Sequence, residues 1–174
     1  RIVEPIVDLF RKAYGAGVRD FVLTQDCHPR DAPEFAQWPP HCVEGTSEAE
    51  TVPQFRALPF WDRFMVFPKR SIHSAIGTGL EGWLEARPYL KALIAVGDCT
   101  DLCLYQLAMH LKLRANAFAT GQQVIVPANC VQTYDLPAAT ALSIGAMPHD
   151  GDFFHVVFLY HLALNGIRVV KGIV

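Results

Sequence analysis

The sequence predicts an α/β protein, a three-layer α/β/α sandwich around a central, mainly parallel sheet. Three observations lead there. Short apolar strands alternate with helical segments along the whole chain, and parallel strands need crossovers whose helices pack on the sheet. Polar segments follow three of those strands, at the edge where such sheets collect ligands. About half of the 174 residues are hydrophobic (51%), so the chain can bury a sizeable core, and residues 1–174 are read as a single domain.

Ile2, Ile6, Leu9, Phe10 and Ala13 recur at helical spacing and stop at Gly15 and Gly17, which predicts an amphipathic helix with a glycine C-terminal signal. A strand over Asp20 to Thr24 follows. From Asp26 to Pro59 the chain is rich in Pro, His, Trp and acidic residues without a sustained period, the mark of a long functional loop with short helical turns. Next come a strand at Phe64 to Phe67, a helix at Leu80 to Glu85 and a strand at Ala92 to Val96. Asp101 to Leu113, Leu136 to Gly145 and Phe154 to Leu164 read as helices, with strands at Val124 to Val126 and Arg168 to Val170. No internal repeat interrupts this order.

Composition excludes several classes. The formal charge is −2 with no basic stripe, so nucleic acid is not an expected partner. No apolar run reaches the ~20 residues that span a bilayer, and the expected setting is soluble and cytoplasmic. Five cysteines, Cys27, Cys42, Cys99, Cys103 and Cys130, are an odd number in a chain with a core of its own. They are expected to be free thiols. The expected partner is a small molecule, with a homo-oligomer left open.

The chemistry gathers at the expected strand ends. Asp26 and His28 are two residues apart, and at the end of an extended segment that spacing points both side chains to one side. Cys27 then faces away. His41 follows Pro39 and Pro40, which stiffen its presentation, and Glu34 lies between the two groups. A carboxylate and two imidazoles, with a second carboxylate in reserve, suit one divalent transition metal, Zn first and Fe or Mn after it. The plainer reading makes Asp26 a turn cap and the histidines ordinary loop residues.

Gly97-Asp98-Cys99-Thr100-Asp101-Leu102-Cys103 joins a strand to a helix, placing Cys103 in the first turn over the positive end of the helix dipole. Thiolate is favoured there, and backbone N–H groups at the same terminus can receive an oxyanion. A buried structural cysteine is the alternative. Cys99 is the nearest competitor but lies in the turn. Lys69, after its strand, could lower the thiol pKa or be a solvated charge. His73, His110, His149, His155 and His161 receive no role.

Thr24-Gln25-Asp26-x-His28-Pro29, Trp38-Pro39-Pro40-His41-Cys42-Val43-x-Gly45-Thr46, Lys69 and Gly97-x-x-Thr100-Asp101-x-Cys103 resemble, in order and spacing, the motifs of the nicotinamidases, cysteine hydrolases of the isochorismatase-like superfamily. The resemblance runs over essentially the whole chain. It implies the three-layer fold, metal ligation by Asp26, His28 and His41 with Glu34 as a further ligand in some members, and catalytic roles for Lys69 and Cys103. It also implies an oxyanion hole at the backbone of Cys99 and Cys103, a cis peptide between Asp98 and Cys99, and deamidation of nicotinamide to nicotinate and ammonia through a thioester, a step of NAD salvage. In that mechanism the metal takes the ring nitrogen and places the carboxamide over Cys103; Trp38 could wall the ring.

One departure is serious. The family's catalytic Asp ends a strand before the first helix, and this chain opens at that helix. A further N-terminal segment carrying that strand and Asp is therefore expected in the native protein. The rivals are another hydrolase of the superfamily, acting on a carbamoyl, ureido or isochorismate-like substrate, and a catalytically silent metal-binding relative.

Overall fold

The computed structural model describes residues 1–173. It is a mixed α/β chain in which every ladder between strands is parallel. Its backbone divides into two compact units, one formed by Val3–Trp83 and one by the chain from Leu84 onward.

The first unit comprises α1 (Val3–Gly15), β1 (Phe21–Asp26), the short α2 (Pro53–Arg56) and β2 (Phe64–Lys69); α3 (Leu80–Glu85) carries the boundary. Between β1 and β2 the chain makes only short helical turns, as its aperiodic composition predicts. α1 buries Ile6, Val7 and Leu9. Val7, Phe21, Leu58 and Phe60 form the unit's core, with Phe10, Tyr14, Phe55 and Phe64 packed against it. Tyr14 stacks on Phe60 at 4.1 Å, and Phe10 meets Phe21, Phe55 and Phe64 edge-on. Such pairs contribute about 0.5–1.5 kcal/mol each beyond area burial.

The register of β1 and β2 carries this core to the site. Phe21 pairs with Phe64 at one end and Asp26 with Lys69 at the other. Both strands run two residues past the ends expected from their apolar runs, because pairing rather than hydrophobicity decides where a strand stops. Pro68 fits opposite Gln25, although it has no N–H to donate.

The second unit holds β3 (Ala92–Ile94), β4 (Gly97–Asp98), α4 (Cys103–Ala117), β5 (Gln123–Pro127), β6 (Val131–Gln132), α5 (Ala138–Ile144), α6 (Gly151–Leu164) and β7 (Arg168–Val170). The order β3-β5-β7 makes one ladder and β4-β6 another. The strand expected over Ala92 to Val96 is shortened to Ala92–Ile94, and a separate two-residue strand follows it, with Gly97 (φ 118°) supplying a backbone conformation that favours glycine where that strand begins. α4 buries Leu104, Ala108, Leu111 and Ala115, one helical face, and contacts β5 and α6. α6 starts three residues earlier than its apolar pattern suggested, because Asp150 caps it by accepting from the Phe153 N–H at 3.0 Å. Among the described residues no helix is long and apolar enough to cross a membrane.

Candidate metal centre and thiol turn

Asp26 ends β1, and the Cys27 N–H prolongs the ladder by donating to Lys69 O at 2.9 Å. The long loop then returns to the same place. His28 N–H donates to Cys42 O (3.0 Å) and Glu44 N–H donates to His28 O (2.9 Å), so residues 42–44 lie beside His28 as a short parallel bridge. Cys42 takes a left-handed conformation (φ 43°), and its N–H donates to Glu48 Oε2 at 3.0 Å. This return brings His41 to the pair: Asp26, His28 and His41 each offer a ligand atom, all within 4.8 Å of one another.

The donor set fits a metal ion. His28 is wholly buried, and neither of its ring nitrogens has a hydrogen-bond partner. Its Nε2 comes within 3.3 Å of Asp26 Oδ1 without hydrogen-bond geometry. An imidazole left so costs on the order of 1–3 kcal/mol per unsatisfied group, a cost that a coordinated ion removes. His41 Nδ1 lies 2.9 Å from Pro39 O. A carbonyl only accepts, so Nδ1 carries the hydrogen and Nε2 presents its lone pair, the arrangement that fixes a metal-binding tautomer. Pro39 thus does more than stiffen the loop.

Glu34, expected as a further ligand, is not in this cluster. The turn Pro33–Ala36 presents the next residue instead: the Phe35 ring stands edge-on to His28 and His41, at 5.5 and 5.7 Å. Neighbouring side chains on a helical turn diverge by roughly 100° or more, so the turn that aims Phe35 inward aims Glu34 elsewhere. Trp38, expected to wall a ring pocket, is half-buried, and its N–H donates to Glu34 O.

Lys69 is 2% exposed. Its Nζ donates to Asp26 Oδ1 and, at 3.0 Å, to Ser71 O. The ammonium expected beside a thiol is thus also the ion-pair partner of a candidate metal ligand. Gln25 is held by Thr51, whose hydroxyl donates to its Oε1, and by Ala49 O, which accepts from its Nε2.

In the second unit, Cys103 is the first residue of α4, a helix long enough to have a full dipole. The peptide between Asp98 and Cys99 is cis, as the resemblance implied. The N–H groups of Leu102 and Leu104 both donate to Cys99 O at 3.1 Å, and that of Thr100 donates to Gln132 O at 2.8 Å. These bonds hold the turn between β4 and α4. Burial, reinforced by the charge of Asp98, pushes the Cys99 thiol up to about 11, so it stays protonated near neutrality. None of the five cysteines is in a disulfide. Thr133 donates to Asp101 Oδ1, and His149 Nε2 lies 2.7 Å from Asp101 Oδ2. Sequence reasoning missed Phe35, Glu48, Thr133 and His149, whose partners are set by loop geometry.

A hollow of about 410 Å³ in the second unit is lined by Lys112, Asn116, Gln122 and Arg168 among others. Gln123 and Arg168 open β5 and β7, so it lies at the amino edge of those strands, opposite the edge where ligands collect.

The sequence family described as the isochorismatase domain matches residues 1–152. The chain belongs to the isochorismatase family. Nicotinamidase 1 of Arabidopsis thaliana is 32% identical to this family member over 159 residues, 85% of the chain. The chain spans 64% of that relative's length. Solved structures share the isochorismatase-like fold. The pyrazinamidase of Pyrococcus horikoshii in complex with zinc aligns with a TM-score of 0.72 at 20% identity, over 98% of this chain and 84% of its own. The N-carbamoylsarcosine amidase of Thermoplasma acidophilum aligns at 0.68 and 20%, over 98% and 82%.

Proposed function

We propose that this isochorismatase-family hydrolase is a metal-assisted cysteine amidohydrolase that deamidates nicotinamide, these 174 residues belonging to a single catalytic domain. The observation that carries the reading is His28, wholly buried with both ring nitrogens unpartnered, in a cluster with Asp26 and His41. The curated nicotinamidase relative supports the substrate. The zinc in the pyrazinamidase relative supports zinc as the ion. Five cysteines outside any disulfide suit a reducing, cytoplasmic setting.

Asp26, His28 and His41 would hold the metal, which supplies a Lewis-acidic anchor for the aromatic ring nitrogen. Lys69 fixes the Asp26 carboxylate through its ion pair. Cys103 is the nucleophile: its sulfur attacks the carboxamide carbon, and the amides of Cys99 and Cys103 receive the oxyanion. The proton that the Cys103 thiol gives up goes to the leaving nitrogen as the C–N bond breaks and ammonia departs, and water then cleaves the thioester to the carboxylic acid and the restored thiol. Trp38 is proposed to border the ring.

The test is ammonia release from nicotinamide by the purified, zinc-loaded protein, beside Cys103→Ala and a chelated sample. Activity in the loaded parent, lost in both controls, is the expected result. Full activity in Cys103→Ala would remove the nucleophile, and turnover of an N-carbamoyl amide in place of nicotinamide would reassign the substrate.

A further inference from the structure

The turn that presents Cys103 rests on a buried pair the catalytic reading does not use. Asp101 and His149 are 8% and 9% exposed, 48 residues apart in sequence, and joined at 2.7 Å. His149 Nδ1 lies 2.9 Å from Tyr134 O. A carbonyl only accepts, so Nδ1 donates there, and the Nε2–Oδ2 link holds a proton between imidazole and carboxylate. The other carboxylate oxygen accepts from Thr133. Asp101 is thus satisfied on both sides, two residues before the candidate nucleophile.

His149 is itself immobilised. Its N–H and C=O both bond Leu136, at 2.9 and 2.8 Å, and its ring is stacked between Tyr134 (4.1 Å, 16°) and Phe154 (4.5 Å, 17°). The Gly151 N–H, at the start of α6, donates to Asp135 Oδ1 at 3.0 Å. Residues 132–136 are therefore tied to the start of α6 on one side and, through Thr133, Gln132 and Asp101, to the thiol turn on the other.

We propose that Asp101 and His149 form a buried clamp that sets where the Cys103 sulfur stands, with His149 a positioning residue acting through Asp101. The inference rests on Cys103 being the nucleophile. A carboxylate fixed from two sides fixes its own backbone, and with it the first turn of α4. Misplacing a reacting atom by about 1 Å costs on the order of 100-fold in rate, so a group that never touches substrate can govern turnover.

The experiment compares His149→Ala, Asp101→Ala, the double variant and Asp101→Asn in the full chain. Cys103 alkylation by iodoacetamide is followed by mass mapping, with kcat and KM for nicotinamide, zinc content and circular dichroism alongside. Asp101→Asn keeps the shape, since its amide oxygen still accepts from Thr133 and its NH2 can donate to His149 Nε2. The expected result is alkylation slowed about tenfold or more and kcat lowered in His149→Ala, with KM and zinc content held within about twofold. The double variant should be no worse than the poorer single, and Asp101→Asn should recover most of the loss. If His149→Ala does not fold, Asp101→Asn against Asp101→Ala decides. Alkylation at the parent rate in a folded Asp101→Ala or His149→Ala overturns the clamp. Slowed alkylation in a protein whose parent does not hydrolyse nicotinamide would instead sink the substrate reading and leave the clamp standing.

Discussion

Cys99 and Cys103 share one turn and should react differently. Burial holds Cys99 as a thiol up to about pH 11, whereas Cys103 opens α4, where the dipole favours thiolate. At pH 7.5 a small electrophile should label Cys103 first; a first adduct on Cys99 would reverse the assignment. The raised Cys99 pKa has a stability consequence whose sign is fixed. Between the ordinary 9.0 and about 11 the unfolded chain loses a proton that the folded chain keeps, so this contribution is complete below pH 9 and fades as pH rises toward 11. Cys99→Ser should flatten the alkaline fall in Tm across that window. In the metal cluster, His41→Ala should lose most of its bound zinc by elemental analysis. The candidate triad was legible because Asp26 and His28 share one strand end and two prolines precede His41. Glu34, expected as a further ligand in some members, lies outside the cluster, and sequence spacing cannot give the phase of a short turn, which here puts Phe35 on the imidazoles. His149 was passed over because nothing along the chain couples it to Asp101.

Among the elements, α6 shows how contacts override propensity. Gly151 occupies its first position, where Ala would ordinarily be the better helix former. A Cβ there would stand 2.6 Å from Tyr134 O and 3.1 Å from its carbonyl carbon, backbone atoms that cannot swing aside. Gly151→Ala is therefore expected to lower Tm, and because Tyr134 O is the acceptor for His149, it should slow Cys103 alkylation too. Asp150→Ala removes only the cap, at a cost of about 1 kcal/mol, read as a Tm lower by roughly 2–4 °C. The positions of β1, β2, β3, β5 and β7 were visible in the sequence; their limits, and the two-residue strands β4 and β6, were not. Apolar runs ended at Thr24 and Phe67, yet the ladder continues to Asp26 and Lys69. Which residues two strands pair is a property of both, and a single run contains half of it.

For the molecule as a whole, the parallel α/β character followed from alternating elements, while its division at Trp83 and Leu84 had no composition shift to announce it. Metal should stabilise the first unit in particular, since all three candidate ligands belong to it. Saturation at 100 times the dissociation constant adds about 2.7 kcal/mol to whatever unfolds with the site, so chelation should lower Tm and speed proteolysis within residues 26–69 before the rest. The burial of His28 bears on rate as well as on strength. His28, with no exposed surface and edged by Phe35, closes one side of the cluster, while Asp26 and His41 are each partly exposed on the other. A chelator would therefore meet the ion from the side of Asp26 and His41, so its removal should quicken as chelator concentration rises, and Phe35→Ala should quicken it further by uncovering His28.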